Sequence, residues 1–301
     1  VASEHDQRQR DDQPLLDPTA IRGLVAELGL RPTKQRGQNF VTDANTVRRI
    51  VGLAEVTPDD VVVEVGPGLG SLTLGLLHRA RRVIAIEIDP LLAGALPATV
   101  ARLAPARAEA LTVITADALR VDELPEPPTK VVANLPYNVS VPVLLHLLAT
   151  FDSWQHGLVM VQAEVADRLV AGPGSKTYGI PSLKLAWYAS SRRVGSVAPS
   201  VFWPVPNVDS GLVALARRPP VETTANRAAV FAVIDTAFAQ RRKMLRSALA
   251  GLVGSSAAAS VVLEDAGIDP QVRGEQLEIA DFARIAEALA RVDRSGDSAG
   301  H

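Results

Sequence analysis

Val61-Val62-Val63-Glu64-Val65-Gly66-Pro67-Gly68-Leu69-Gly70 is the stretch on which the fold turns. Five residues, four of them β-branched, run into a glycine loop, and Leu72 to Leu77 then resume as helix. A strand stopped by glycine and reopening as a helix is the first half of a βαβ unit. Without side chains at Gly66 and Gly68, the backbone of the loop can approach a ligand closely. The dinucleotide fingerprint places its third glycine three positions after the second. Here that position is Ser71 and Gly70 comes one residue early, so the loop departs from the NAD pattern. It also carries no Lys-Ser or Lys-Thr pair, which a triphosphate-binding P-loop needs.

Downstream, the same alternation repeats. Val83 to Glu87 reads as a second strand, followed by a helical stretch after Pro90. Leu111 to Thr115 is a third strand and Lys130 to Ala133 a fourth; Leu144 to Leu148 is helical, and Leu158 to Val161 a fifth strand. Gly211 to Leu215 is expected to be a last strand. Strands alternating with helices imply an α/β fold with a mostly parallel sheet covered on both faces. Ligands of such sheets sit beyond the carboxyl ends of the strands, where strand order reverses. Gly66, Glu87, Asp117 and Asn134 all fall at or just past strand C-termini.

Upstream, Thr19 to Leu28 is expected to be helical and to end at Gly29. A polar basic loop with Arg31, Lys34 and Arg36 follows and leads to Phe40; Asp43 is placed to cap the next helix. Past Arg227 the chain is Ala-rich with helical period, over Val230–Phe238, Met244–Leu252, Ala257–Ala266 and Ile279–Val292. The expected organisation is a disordered tail over 1–17, an α/β domain over 18–218, a small helical domain over 219–292 and a polar disordered tail over 293–301.

The composition narrows the function. Apolar residues make up 47% of the 301, so a sizeable core can be buried. There is no cysteine, which excludes disulfides, thiolate metal sites and a thiol nucleophile. The five histidines show no metal-ligand spacing, so no metal is expected. No apolar run reaches eighteen residues, and Val1 to Pro14 lacks the apolar core of a signal peptide. A cytoplasmic protein with no membrane role is therefore expected. The net charge is only −2, but basic residues cluster at Arg31/Lys34/Arg36, Arg192/Arg193 and Arg241/Arg242/Lys243/Arg246. Each cluster could be an ordinary solvated face or part of a phosphate-binding surface.

Three further features carry chemistry. Glu87 lies about 20 residues past the glycine loop, where a carboxylate can accept from both ribose hydroxyls of a nucleoside. Asp117, in Thr115-Ala116-Asp117-Ala118, could accept from the exocyclic amine of a bound adenine or could simply be a turn residue. Asn134-Leu135-Pro136-Tyr137-Asn138 follows the fourth strand directly. The N6 amine of adenine is a poor nucleophile because its lone pair is delocalised into the ring. Acceptors around its two N–H bonds, such as the Asn134 side-chain oxygen and the Leu135 carbonyl, draw the nitrogen towards a tetrahedral form. Pro136 stiffens the turn, and Tyr137 offers a ring on which a flipped-out base can stack.

Taken in order, Gln38-Asn39-Phe40-Val41, Glu64 to Gly68, Glu87, Asp117, Asn134 to Asn138, Phe202 to Ser210 and Gln240-Arg241-Arg242-Lys243 resemble the small-subunit ribosomal RNA adenine dimethyltransferase (KsgA/RsmA) family. The likeness runs from about Lys34 to about Leu289. It implies a Rossmann-like class I methyltransferase with a seven-stranded sheet and an all-α C-terminal domain. It implies S-adenosylmethionine as cofactor, S-adenosylhomocysteine as product, and no metal. The implied reaction is N6,N6-dimethylation of two adjacent adenosines in the 3′-terminal hairpin loop of small-subunit (16S) ribosomal RNA, on a premature 30S particle, by a monomer. Carried over by position, Asn39, Val41, Gly66, Gly68, Glu87, Asp117, Ala118 and Asn134 would contact the cofactor. Asn134, Leu135, Pro136 and Tyr137 would form the catalytic turn. Phe202 and Pro204 would flank the target pocket, and Arg241, Arg242, Lys243 and Arg246 would meet RNA phosphate.

The alternatives are a large-subunit (23S) adenine methyltransferase of the antibiotic-resistance type, a non-catalytic ribosome assembly factor with the same fold, and an NAD-dependent oxidoreductase. The last is disfavoured by the Gly70 spacing.

Overall fold

A computed structural model describes residues 14–30 and 39–297, with side chains up to Val292. The chain divides into two compact units, one of residues 1–167 and 191–217, the other of 168–190 and 218–301. The basic loop with Arg31, Lys34, Arg36 and Gln38 lies outside the described residues, as do 1–13 and 298–301.

The first unit opens with helix α1 (Pro18–Glu27), started by Asp17, whose carboxylate accepts from the Ala20 N–H at 2.7 Å, and by Pro18 in the first turn. Leu16 is 1% exposed. Residues 14–17 were expected in the disordered tail, but burial of that leucine in the core holds them. After the two-residue strand β1 (Phe40–Val41), α2 (Ala44–Leu53) starts at Asp43, which accepts from Thr46 N–H at 2.8 Å.

The chain then builds the main sheet. β2 (Val61–Val65), α3 (Ser71–Leu77), β3 (Arg82–Glu87), α4 (Pro90–Leu103), β4 (Leu111–Thr115), β5 (Lys130–Asn134), α5 (Ser140–Thr150) and β6 (His156–Gln162) succeed one another. Short α6 (Ala163–Leu169) follows, and β7 (Ala189–Val197), β8 (Phe202–Trp203) and β9 (Ser210–Arg217) come after a stretch that belongs to the second unit. The seven-stranded order is β4-β3-β2-β5-β6-β9-β7, with β4 to β6 parallel and β9 antiparallel to β6. All five residues of β2 are buried, as expected of a central strand covered on both faces. From β2 the chain steps outward to β3 and β4, then crosses back to β5. The order therefore reverses between β2 and β5, where ligands of open α/β sheets bind.

Three strands had no clear sequence signal. β7 carries Ser190-Ser191-Arg192-Arg193 at the sheet's edge, where exposed charge discourages further pairing and erases the apolar pattern. β1 and β8 are two residues each and pair only with one another, Phe40 with Trp203 and Val41 with Phe202.

The second unit has its own core; it runs from Arg218, next to the expected boundary, but it also takes in 168–190, which were expected in the α/β domain. Residues 168–190 belong to this unit: Tyr178 and Leu183 are buried with Val230, Ile234, Leu263 and Phe282, and the Tyr178 hydroxyl donates to the Leu277 carbonyl at 2.8 Å. A segment between two strands of one sheet can leave to join a different core, and local pattern does not reveal it. The helices are α7 (Ile180–Ala186), α8 (Arg227–Ala239), α9 (Leu245–Ala248), α10 (Ala250–Val253), α11 (Ser256–Asp265) and α12 (Ile279–Asp297). The single helix expected over Met244–Leu252 is thus two short ones, and the last helix runs past 292 into the expected tail.

Candidate active site

A cavity of about 500 Å³ opens at the carboxyl ends of β2, β3 and β5. Asn39, Val41, Gly66, Gly68, Glu87, Asp117, Asn134, Leu135, Pro136 and Tyr137 all line it. Residues from across nearly a hundred positions of sequence thus meet because parallel strands end side by side.

The glycine loop forms one wall. Gly66 N–H donates to the Ile86 carbonyl at 2.9 Å, tying the loop to the adjacent strand. Gly68 has φ +57°, and a Cβ there would stand 2.9 Å from the Phe40 ring. Gly70, the residue that broke the dinucleotide spacing, has φ +95°, and its Cβ would meet Leu96 at 2.6 Å. Gly70 therefore serves helix packing and the turn, whereas Gly66 and Gly68 belong to the cavity wall.

Two carboxylates face this wall. Glu87, 5% exposed, accepts from Gly68 N–H at 3.1 Å through one oxygen and from Asp89 N–H at 3.0 Å through the other. Each oxygen keeps acceptor capacity, since a carboxylate offers about four lone-pair sites. Burial, offset by these bonds and reinforced by the nearby Asp89, raises its pKa. Glu64, 1% exposed, accepts from the Thr73 hydroxyl at 2.6 Å. Burial above all, and then the charge of Glu87, push it up to about 8. Sequence inspection passed over Glu64 as a site residue. The signal was there, as an acidic residue inside an otherwise aliphatic strand. Ile88 was also missed; it lines the cavity with 67% of its surface exposed, an apolar side chain facing open space.

The far wall is the turn after β5. Leu135 N–H donates to the Met160 carbonyl at 3.0 Å, which continues the ladder one residue past the strand. The Asn134 amide donates to the Asn39 carbonyl at 3.2 Å, and its Oδ1 is buried without a partner among the described residues. Ser71 Oγ, also on the cavity wall, is buried and unpartnered in the same way. A buried polar atom left unmatched costs about 1–3 kcal/mol. Both atoms belong to residues that line one cavity, and buried groups of this kind call for a partner that the described residues do not supply. The Tyr137 hydroxyl lies 2.6 Å from Ser210 Oγ.

The remaining expected site residues divide. Asp117 lines the cavity with its side chain 38% exposed, and one oxygen accepts from Leu119 N–H at 3.0 Å. Ala118 is buried and absent from the wall; Leu119 is there instead. Phe202 and Pro204, expected to flank a target pocket, are not on the wall either. Phe202 is 2% exposed and packs in the core of its unit, and its pairing with Val41 supports the wall from behind. Pro204 follows a cis peptide bond after Trp203.

In the second unit the basic run divides. Arg241 is spent internally, donating to Glu275 at 2.8 Å and to the carbonyls of Ser175 and Lys176. Arg242 and Lys243 are exposed, and Arg246 is half-buried beside the Met244 sulfur at 3.7 Å.

The family model described as Ribosomal RNA adenine dimethylase matches residues 30–291. The Ribosomal RNA small subunit methyltransferase A of Streptomyces coelicolor (strain ATCC BAA-471 / A3(2) / M145) is 67% identical over 275 residues, covering 91% of this chain and 96% of its own. That of Thermobifida fusca (strain YX), with the same name, is 66% identical over 277 residues, covering 92% and 96%. Among solved structures, the 23S rRNA methyltransferase ErmE superposes with a TM-score of 0.60 at 27% identity, over 84% of this chain and 100% of that one. A dimethyladenosine transferase from Plasmodium falciparum superposes with a TM-score of 0.70 at 22% identity, over 85% and 98%, and shares the fold.

Proposed function

The chain belongs to the ribosomal RNA adenine dimethylase family, and on that footing we propose that it transfers methyl groups from S-adenosylmethionine to the N6 atoms of two adjacent adenosines in the 3′-terminal hairpin loop of small-subunit ribosomal RNA. The particle acted on is a premature small subunit, and the enzyme serves its biogenesis. The observation that carries this assignment is the buried, unmatched Asn134 Oδ1 on the same cavity wall as Glu64 and Glu87.

The residues present fit the cofactor. The cavity volume lies in the range of small-molecule sites, about 300–1,000 Å³. Two buried carboxylates, both raised chiefly by burial, suit a ligand bearing positive charge, which favours their ionised forms. When bound, the cofactor supplies an electrophilic methyl group on a sulfonium. Glu87 holds ribose hydroxyls through its remaining acceptor sites. Asp117 accepts from Leu119 through one oxygen and stands 4.0 Å from Arg120 Nε with the other, which would accept from an exocyclic amine.

The turn after β5 holds the target. Asn134 Oδ1 accepts one N–H of the adenine amine and the Leu135 carbonyl accepts the other. The nitrogen lone pair would thereby be turned out of the ring plane. The ring of Tyr137 would stack on the base and fix its plane; orientation of this kind would supply a large share of the rate. The proton released from nitrogen leaves to solvent. For a second transfer the monomethylated amine has one N–H left, so only one of the two acceptors, Asn134 Oδ1 or the Leu135 carbonyl, would hold it. Outside the cavity, Arg242, Lys243 and Arg246 meet RNA phosphate, whereas Arg241 holds its own unit together.

The large-subunit alternative has one observation in its favour, the likeness to the 23S enzyme, and that likeness is 27% identical against 67% for a small-subunit relative. Labelled methyl transfer to small and large subunits lacking adenine dimethylation decides between them. N6,N6-dimethyladenosine confined to small-subunit RNA is expected. Label on the large subunit alone overturns the proposal, and label on neither favours a non-catalytic assembly role.

A further inference from the structure

Tyr137 belongs to a turn that carries the stacking ring and yet has little of its own to hold it. The turn occupies 137–139, between β5 and α5. Its backbone is closed by Val139 N–H on the Pro136 carbonyl at 3.1 Å and by the Ser140 hydroxyl on the Tyr137 carbonyl at 3.4 Å. Neither bond restrains the tyrosine ring. The ring is restrained at its far end, where the hydroxyl meets Ser210 Oγ at 2.6 Å.

Ser210 is 0% exposed and opens β9. It stands opposite Gln162 in the antiparallel ladder to β6, and the preceding carbonyl of Asp209 accepts from Ala163 N–H at 2.9 Å. Its backbone is therefore fixed from both sides. A fully buried hydroxyl is costly unless hydrogen-bonded, and the bond recorded for this one is to Tyr137. Ser210 also ends the run Phe202 to Ser210, and Phe202 braces β1 from behind. One continuous segment thus supports two walls of the cavity.

We propose that Ser210 is a positioning residue for the target base: by anchoring the Tyr137 hydroxyl to the rigid end of β9, it presets the ring face on which the flipped adenine stacks. The inference rests on the proposed adenine methylation. Ser210 does not line the cavity, so its effect reaches the reaction only through Tyr137. Cofactor binding, which uses Glu87 and the glycine loop, is left alone.

The test compares Ser210→Ala, Tyr137→Phe and the double variant in the full-length protein, with small subunits lacking dimethylation as substrate. Each single change is expected to lower kcat by about tenfold, the equivalent of one neutral hydrogen bond. The KM for S-adenosylmethionine is expected to stay within about twofold. The double variant is expected to lose no more than either single one, because both remove the same bond. Wild-type kcat in Ser210→Ala, or multiplied losses in the double variant, overturns the proposal. Tyrosine-selective ¹³C NMR of the protein without RNA gives an independent reading. Only the Tyr137 ring signals are expected to move in Ser210→Ala, those of Tyr178 and Tyr188 staying in place. Unmoved Tyr137 signals overturn the anchor whether or not RNA is methylated, whereas a wild-type protein inert towards small subunits overturns the methylation assignment instead. Tyr137→Phe reports on the same bond should Ser210→Ala fail to fold.

Discussion

The two ends of strands β2 and β5 treat buried polar groups in opposite ways. At the amino ends, Asp60 accepts from the Thr129 hydroxyl at 2.7 Å, the Thr57 N–H at 2.8 Å and the Thr57 hydroxyl at 2.9 Å, and pairs with Lys130 at 3.4 Å. Lys130 in turn donates to the Ala54 carbonyl at 3.0 Å and to that of Glu55. Burial works to raise the Asp60 pKa, but the threonine bonds and the lysine charge together bring it below the ordinary value. At the carboxyl ends, Glu64 is driven up to about 8, and Asn134 Oδ1 and Ser71 Oγ find no partner among the described residues. The same sheet thus closes its polar groups on themselves at one end and leaves them open at the other. Open groups are unfavourable without a ligand, so the open end is the candidate binding site.

That contrast can be broken by substitution. The largest effect is expected at the open end, where Asn134→Ala should lower kcat by about 100- to 1,000-fold, as for removal of other preorganised polar groups at a reacting centre. S-adenosylhomocysteine affinity, measured by calorimetry, should change little. Unchanged turnover would remove Asn134 from the chemistry. At the closed end, Lys130→Met should behave in the reverse manner. It strands Asp60 in a buried position and should cost about 3 kcal/mol of stability in a urea melt, while the folded fraction keeps its kcat. A loss of kcat at full folding would show that the closed end is functional too.

Next in size is a pH effect. Glu64 titrates near 8 in the folded chain and near 4.5 when unfolded. Between those values the folded state holds the extra proton, so stability falls as pH rises, by at most about 1.4 kcal/mol per pH unit. Glu87 adds to the trend in the same direction. Glu64→Gln should flatten the decline in unliganded protein between pH 5 and 8, as read from Tm at each pH. An identical slope in the variant would mean that Glu64 is ionised throughout. The smallest effect concerns the second unit. Arg242→Glu with Lys243→Glu should weaken RNA binding and reduce its salt slope by about two, one per phosphate contact. Arg241→Ala should instead lower the stability of its unit with the salt slope intact, because that side chain is already occupied. Equal salt slopes in the two variants would erase the distinction.

The order of elements was legible because β2, β3, β5 and β6 are aliphatic runs punctuated by glycine, proline and polar turns, a pattern that period and propensity resolve. Gly66, Glu87, Asp117 and Asn134 were legible for the same reason, since a strand's end marks its carboxyl edge. Glu64 was visible but taken for part of a motif. β7 was hidden by its polar edge composition, and the Phe202–Val41 pairing by its brevity. The exclusion of Phe202 from the cavity wall followed from that pairing and could not be read from a motif.

The sequence by itself determined the α/β class, the glycine loop, the acidic residues that follow it and the turn after β5, because each is written within a few consecutive residues whose spacing and chirality set the local backbone. Only the tertiary structure decided which polar atoms are left unmatched, that Glu64 and Glu87 share one buried space, that Arg241 is spent while Arg242 is free to act, and that Ser210 reaches Tyr137 across 73 positions. Those facts depend on what lies opposite a side chain after folding, and burial and pairing are properties of contacts between segments that no local pattern contains.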